Sequence, residues 1–174
     1  LNQVWYPGET LSAGIGQGYM LATPLQLAVA TATVANRGQF HTPRLARQIG
    51  GDEPETPAPH YVDAAPEHWD SIFRGMRDVV HGARGTARSV GRGLTYDMAG
   101  KTGTSQVIGI AQDAVYDEGA VAERHRHHGL FVAFAPLEAP EIAVAVIVEN
   151  GGGSSAAYPL ARTVIDAWLA RGGA

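Results

Sequence analysis

Residues 142–148 read IAVAVIV, seven apolar residues in succession. A run of this kind is typical of a strand that is buried on both faces of a sheet. A second apolar run, LFVAFA at residues 130–135, precedes it, and only the six residues PLEAPE lie between the two. Because a parallel crossover needs a dozen or more residues, this spacing predicts an antiparallel hairpin. With the helices predicted below, it indicates an α+β fold with an antiparallel sheet.

The first predicted helix begins at Thr23-Pro24-Leu25-Gln26. Threonine can cap a helix, proline suits the first helical position, and glutamine three residues after the cap can reach back to it. The helix should end at Asn36-Arg37-Gly38, where the glycine can take the left-handed closing conformation.

Two further helices are predicted from apolar residues at helical spacing. One spans residues 67 to about 81, and its apolar face comprises Trp69, Ile72, Phe73, Met76 and Val80. We interpret these residues as core rather than as a ligand groove. The other spans about 156–171, and the residues expected to face the sheet are Leu160, Val164, Ile165, Trp168 and Leu169.

The remaining segments lack a clear period. Residues 1–22 are predicted to be loop, with a short extended piece at about 44–49. Residues 50–66 are rich in proline, glycine and acidic residues and are predicted to form a surface linker. Residues 82–93 carry several glycines and are predicted to be irregular.

Composition excludes some classes of function. The formal net charge of −4 gives no electrostatic footprint for nucleic acid. The absence of cysteine excludes disulfides and thiolate metal sites. We see no signal peptide at the start and no apolar run near the roughly 20 residues of a membrane span.

The candidate site is Lys101-Thr102-Gly103-Thr104, within a strand predicted at about 97–109. Side chains alternate along a strand, so Lys101 and Gly103 share one face and the two threonines share the other. Hydroxyls and a lysine can bind a carboxylate, a glycine admits a substrate close to the backbone, and an N–H past it can point at an oxyanion. The alternative is an ordinary strand end, since Lys-Thr-Gly alone occurs in many unrelated chains.

Lys-Thr-Gly is also the third motif of serine β-lactamases and penicillin-binding proteins. Four stretches occur here in the order of that family's landmarks: SAGIGQGYMLATPLQLAVATATVANRG, AGKTGTSQV, LFVAFAP and IAVAVIVENGGG. The chain resembles the class B penicillin-binding proteins, and most closely those of the elongation type. The resemblance covers most of the sequence except about residues 50–93.

The resemblance implies the penicillin-binding, serine β-lactamase-like transpeptidase fold, a five-stranded antiparallel sheet with helices on both faces. It implies a peptidoglycan D,D-transpeptidase that works through a serine acyl-enzyme, binds β-lactams and needs no cofactor. In that family Thr102 and Thr104 would hold the substrate carboxylate, and the Thr104 N–H would form half of the oxyanion hole. Lys101 would provide positive field and hydrogen bonds to a serine, with Gly103 beside it in the cleft.

The resemblance also implies partners and a location. These are peptidoglycan stem peptides, β-lactam antibiotics, a membrane glycan polymerase of the rod-shape elongation system, and the periplasmic face of the bacterial inner membrane.

The other two family motifs, S-x-x-K and S-D-N, are missing. None of the serines has lysine three positions later or asparagine two positions later; they are Ser12, Ser71, Ser89, Ser105, Ser154 and Ser155. We therefore expect the nucleophile, its general base and the membrane anchor upstream of Leu1. On this reading residues 1–174 are the C-terminal portion of one transpeptidase domain and are inactive alone. The alternatives are a β-lactamase or D,D-carboxypeptidase of the same fold, or a non-catalytic β-lactam or wall-peptide sensor.

Three histidines, His125, His127 and His128, follow a run that contains Asp113, Asp117, Glu118 and Glu123. On a strand His125 and His127 would share a face and could form a pair of metal ligands. We favour a solvated, mixed-charge loop between two strands. By resemblance this connection lies beside the cleft, with His128 directed towards it.

Overall fold

The computed structural model of the chain describes residues 4–109, 116–117 and 119–172. The helices and strands run in the order α1 (Pro7–Gly14), α2 (Pro24–Ala35), β1 (Gln39–Phe40), β2 (His60–Tyr61), α3 (Pro66–His81), α4 (Arg88–Gly91), β3 (Ala99–Ser105), β4 (His128–Ala135), β5 (Ile142–Val148) and α5 (Tyr158–Leu169). Single 3₁₀ turns occur at Glu123–His125 and Ser154–Ala156. Within the described residues, no helix combines the length and the apolar character that crossing a bilayer would require.

The main sheet has the order β3-β4-β5, and both pairings are antiparallel. The predicted hairpin is confirmed, with Ala135 opposite Ile142 at its closed end. Of the five strands implied by the resemblance, the described residues supply these three to the sheet, and β1 and β2 form a separate two-stranded ribbon.

The prediction that residues 142–148 are buried on both faces is wrong for this chain. Val144 alone in β5 is buried, and its neighbours are half-buried. The physical reason is position, because β5 lies at an edge of the sheet within the described residues. Its side chains therefore lack neighbours on one side.

Helices cover both faces of the sheet, so the predicted α+β architecture is confirmed. On one face Ile165 of α5 packs with Phe131 of β4 and Met98, and all three are fully buried. On the other face Phe73 of α3 packs on Phe134 of β4, with ring centroids 5.1 Å apart. The sheet that carries the candidate motif is thus fixed from two sides.

The start of α2 is confirmed in detail. The Gln26 N–H donates to Thr23 Oγ1 at 3.2 Å, and the Thr23 N–H donates to Gln26 Oε1 at 2.8 Å. This reciprocal pair satisfies two N–H groups that a helix start otherwise leaves free. The helix ends where Gly38 adopts a φ of +95°, as predicted, and a Cβ there would also lie 2.6 Å from the Val62 carbonyl oxygen.

The helix over residues 67–81 is confirmed, and Trp69, Phe73 and Val80 are buried in the core. The prediction of a core position is wrong for Ile72, which is 41 % exposed. The final helix is also present, but the prediction that Leu160 and Val164 face the sheet is wrong, since about half of each side chain is exposed. Ala161 and Ile165 occupy the buried stripe instead. Leu160 and Val164 each precede a buried residue by one position. Because a short helix presents only one stripe of side chains to a sheet, they lie outside that stripe.

Three predictions for the irregular segments are corrected. Residues 1–22 are not all loop, because α1 begins with Pro7; none of its residues is buried, so no apolar period marks it. The extended piece lies at Gln39–Phe40 rather than at 44–49, because Gln39–Phe40 pairs with His60–Tyr61. Residues 82–93 contain the one-turn helix α4.

Candidate functional site

The Lys101–Thr104 stretch lies on the open edge of the described sheet. Strand β3 pairs with β4 on one side only, with Thr102 opposite Phe131 and Thr104 opposite Gly129. Its N-terminal end is buried, whereas Lys101 and Thr104 are exposed. A buried start anchors the strand, and an exposed end offers side chains and backbone groups to a ligand.

Two hydrogen bonds reveal which way the backbone of β3 points. Gln17 Nε2 donates to the Thr104 carbonyl oxygen at 3.1 Å, and Lys101 Nζ donates to the Thr102 carbonyl oxygen at 2.7 Å. In an antiparallel ladder the N–H and C=O of one residue point to the same side, and residues two apart point alike. We infer that the backbone groups of Thr102 and Thr104 face away from β4. The Thr104 N–H is then a donor directed at the open edge.

Gln17 is a site residue that sequence reasoning missed. It lies between Gly16 and Gly18, which both adopt positive φ angles of 78° and 68°. These two left-handed residues turn the chain sharply and project the glutamine at β3. The signal was present in the GIGQG phrase, but the phrase alone does not say which strand the side chain reaches.

The charge of Lys101 is uncompensated within the described residues. No described carboxylate lies within 4.0 Å of its ammonium, since the ion pairs of this part of the chain involve other cations. Lys101 is also the sole lysine of the sequence. A cation without a partner creates a positive potential at the edge and attracts anions.

A second hydroxyl lies beside the motif and was also missed. Thr86 Oγ1 is 3.0 Å from Thr102 Oγ1, a hydrogen-bonding distance in which either oxygen can donate. Thr86 belongs to the segment between α3 and α4, which was predicted only as irregular. Its contact with Thr102 is a tertiary feature without a local sequence signal.

The segment after β3 is anchored by a buried histidine. The Val107 N–H donates to His127 Nδ1 at 3.3 Å, and the His127 ring stacks on Tyr116 with centroids 3.8 Å apart. Only 5 % of His127 is exposed, so the prediction of a solvated loop is wrong at this position. The stack and the Val107 bond explain its burial, because both remove the ring from water.

The other two histidines do not join His127 in a cluster. His125 ends a 3₁₀ turn, and His128 Nδ1 accepts the Asn150 N–H at 2.9 Å. Asp113 and Glu118 lie outside the described residues. Among those that are described, no three histidine or acidic side chains gather as metal ligands would.

The chemistry of this edge is that of an anion and carbonyl binder. It combines one cation, two threonine hydroxyls on the motif and a backbone N–H donor, and an extended peptide could add along it as a further strand. Within the described part of the chain, no serine hydroxyl hydrogen-bonds a lysine or histidine that could activate it. Among the described residues, the groups of this edge are thus of the kind that bind an anion and polarise a carbonyl.

The fold and the chemistry of the β3 edge together indicate the class of protein to which this chain belongs. Residues 1–166 match the family described as "Penicillin binding protein transpeptidase domain", and the chain belongs to it. The resemblance drawn from the sequence landmarks is thereby confirmed.

Individual relatives narrow the comparison. Peptidoglycan D,D-transpeptidase MrdA of Acinetobacter baumannii is 47 % identical over 170 residues, which cover 95 % of this chain and 25 % of MrdA. The crystal structure of Pseudomonas aeruginosa PBP2 in complex with WCK 5153 is similar with a TM-score of 0.81 and 51 % identity, covering 96 % of this chain and 35 % of that one.

A chain from a structure entitled "Structural coordination of polymerization and crosslinking by a peptidoglycan synthase complex" is similar with a TM-score of 0.62 and 33 % identity. That match covers 85 % of this chain and 23 % of the other. The chain spans about a quarter of the length of MrdA from Acinetobacter baumannii and of two further curated MrdA relatives.

Proposed function

We propose that this chain is the C-terminal, substrate-binding portion of a peptidoglycan D,D-transpeptidase. The intact enzyme would cross-link stem peptides through a serine acyl-enzyme and would be acylated by β-lactams. The observation that carries the proposal is the open edge of β3, which combines Lys101, whose ammonium donates to the Thr102 carbonyl oxygen, with the hydroxyls of Thr102 and Thr104. The similarity to MrdA supports transpeptidation over the β-lactamase, carboxypeptidase and sensor alternatives.

Each residue of the motif has a proposed role. The hydroxyls of Thr102 and Thr104 bind the carboxylate at the end of the peptide or on the β-lactam. When a serine oxygen attacks the scissile carbonyl, its oxygen becomes an oxyanion, and the Thr104 N–H stabilises that charge. Lys101 supplies positive field and a hydrogen bond to a serine of the middle motif. Gly103 has no side chain that would block the approach of the substrate backbone.

The remaining machinery is proposed to lie upstream of Leu1. It comprises the nucleophilic serine, the lysine that activates it, the second oxyanion donor and a membrane anchor. Residues 1–174 would then form part of one domain, with residues 50–66 as a surface linker within it.

Partners and location follow from the same proposal. The protein would act at the periplasmic face of the inner membrane, together with a membrane glycan polymerase of the rod-shape elongation system. The likeness to a chain of a peptidoglycan synthase complex supports a polymerase partner.

The test is Lys101→Ala in the intact protein that contains this chain, with acylation by a labelled penicillin as the readout. Loss of one preorganised transition-state donor lowers rates by about 10²- to 10³-fold, and we expect a decrease of that order. Lys101→Arg keeps the charge and separates the effect of the field from that of the ammonium geometry. Acylation at the unmodified rate in a folded Lys101→Ala protein would contradict the role.

A further inference from the structure

Thr86 lies outside every motif of the resemblance, yet its hydroxyl oxygen is 3.0 Å from that of Thr102. The two residues are 16 positions apart in the sequence. Thr86 is exposed, and Thr102 is half-buried on the edge strand. The pair therefore lies where a ligand of the β3 edge would bind.

The position of Thr86 is fixed by the turn that carries it. The Gly82 N–H donates to the Asp78 carbonyl at 3.0 Å, and the Ala87 N–H donates to the Val79 carbonyl at 3.0 Å. Ala87 is fully buried. A Cβ on Gly82 would lie 2.5 Å from the Asp78 oxygen, and one on Gly85 would meet the Val79 oxygen at a distance no side chain tolerates. Thr86 thus lies between points where the chain is held tightly against the end of α3.

The chemistry of two paired hydroxyls decides what this contact can do. A hydroxyl has one proton to donate and two lone pairs that accept. If Thr86 donates to Thr102, the Thr102 proton is free for a ligand, and the bond it accepts polarises that proton. A carboxylate ligand accepts only, so it selects this orientation of the pair.

We propose that Thr86 is a positioning residue that orients the Thr102 hydroxyl towards the carboxylate of the substrate. This inference rests on the proposed function and adds a residue to it. Loss of the Thr86 hydroxyl should therefore slow acylation by ligands that carry a free carboxylate, because only such ligands benefit from the orientation of the Thr102 hydroxyl.

The experiment compares benzylpenicillin with its methyl ester, in which the carboxylate is masked, and follows acylation of the intact protein by mass spectrometry. Thr86→Val keeps the shape and removes the hydroxyl. For benzylpenicillin we expect its acylation rate to fall about threefold to tenfold, the range for one neutral hydrogen bond. For the ester we expect a change of less than about twofold. Thr86→Ser, which keeps the hydroxyl, should restore the benzylpenicillin rate.

Two controls separate positioning from general damage. Thr163→Val removes a hydroxyl that bonds only the Pro159 carbonyl on the exposed side of α5, and it should leave both rates unchanged. In a Thr102→Val background, Thr86→Val should cause no further loss, because residues that act through one another are not additive.

Equal losses with both ligands, or a full further loss in the Thr102→Val background, would overturn the inference. So would unchanged benzylpenicillin acylation by Thr86→Val. If the unmodified protein formed no adduct, the proposed function would fail first, and this inference with it.

Discussion

Arg162 joins α5 to α4 and to the residue that follows α4, and its replacement should lower the free energy of unfolding. Its Nη1 donates to the carbonyl oxygens of Val90 at 3.0 Å and Arg92 at 2.7 Å. Its Nε contacts Asp166 Oδ2 at 3.2 Å, and Asp166 in turn accepts the Tyr96 hydroxyl at 2.6 Å. Burial, together with this hydrogen bond, raises the pKa of Tyr96 above its ordinary value.

The magnitude for Arg162→Met follows from these contacts. Methionine keeps much of the apolar stem, so the loss is mainly that of the hydrogen bonds. A hydrogen bond from a charged donor contributes about 1.5–3 kcal/mol, and an i,i+4 ion pair on a helix only about 0.3–0.5 kcal/mol. Since 28 % of the Arg162 side chain is exposed, water can replace part of what is lost. We therefore expect a decrease of about 2 kcal/mol, below the roughly 3 kcal/mol that two such bonds would contribute at the least if water replaced none of them.

Urea denaturation at an unchanged m-value measures this decrease directly. The matched control is Arg74→Met, because Arg74 is exposed and its one hydrogen bond within the described residues is a 3.3 Å contact with Ser71 Oγ. It should change the unfolding free energy by less than about 0.5 kcal/mol. If Arg162→Met fell within the same narrow range, the assigned role of Arg162 in holding α5 to the segment before β3 would be refuted.

Three further outcomes are expected. Gly129 lies opposite Thr104 in the sheet, and a Cβ on it would collide with the Gly153 carbonyl oxygen. Gly129→Ala should therefore destabilise the protein by about 1–3 kcal/mol, which a thermal melt measures. Residues 1–174 alone should form no covalent adduct with penicillin, since no serine here has an activating lysine, and a stoichiometric mass gain would contradict that. The same isolated chain should associate through β5, seen as light scattering that grows with concentration; a monomer with slow amide exchange throughout residues 142–148 would argue against it.

The sequence predicted those elements whose signals are local. The capping residues of α2, the apolar spacing of α3 and the two apolar runs of the hairpin each act within a few residues. Helix α1 was missed because it buries no side chain. A helix without a packed face has no regular spacing of apolar residues by which it could be predicted. The burial of β5 was overestimated because an apolar run shows only that a strand is suited to burial. How far it is buried depends on the helices and strands that lie beside it.

The candidate site was predicted in part for the same reason. Lys101, Thr102 and Thr104 lie within four positions of one another, so a single short sequence motif identifies all three. The contacts made by Gln17 and Thr86 join residues 87 and 16 positions apart, respectively, and no sequence period encodes such distances. They become visible only when the turns at Gly16–Gly18 and Gly82–Gly85 are seen to direct both side chains at one strand.

The two edges of the sheet have different chemistry, and this difference bears on their use. The β3 edge carries an exposed lysine, and charge on an edge discourages unspecific pairing with other strands. It can therefore stay open to water and accept a peptide ligand reversibly. The β5 edge has no charge between Ile142 and Val148 and is only half-buried. An apolar edge without such protection is suited to permanent pairing, which agrees with the five-stranded sheet that the resemblance implies, of which the described residues supply three strands. Under the proposed function, the β3 edge would serve the substrate and the β5 edge would pair with the rest of the same domain.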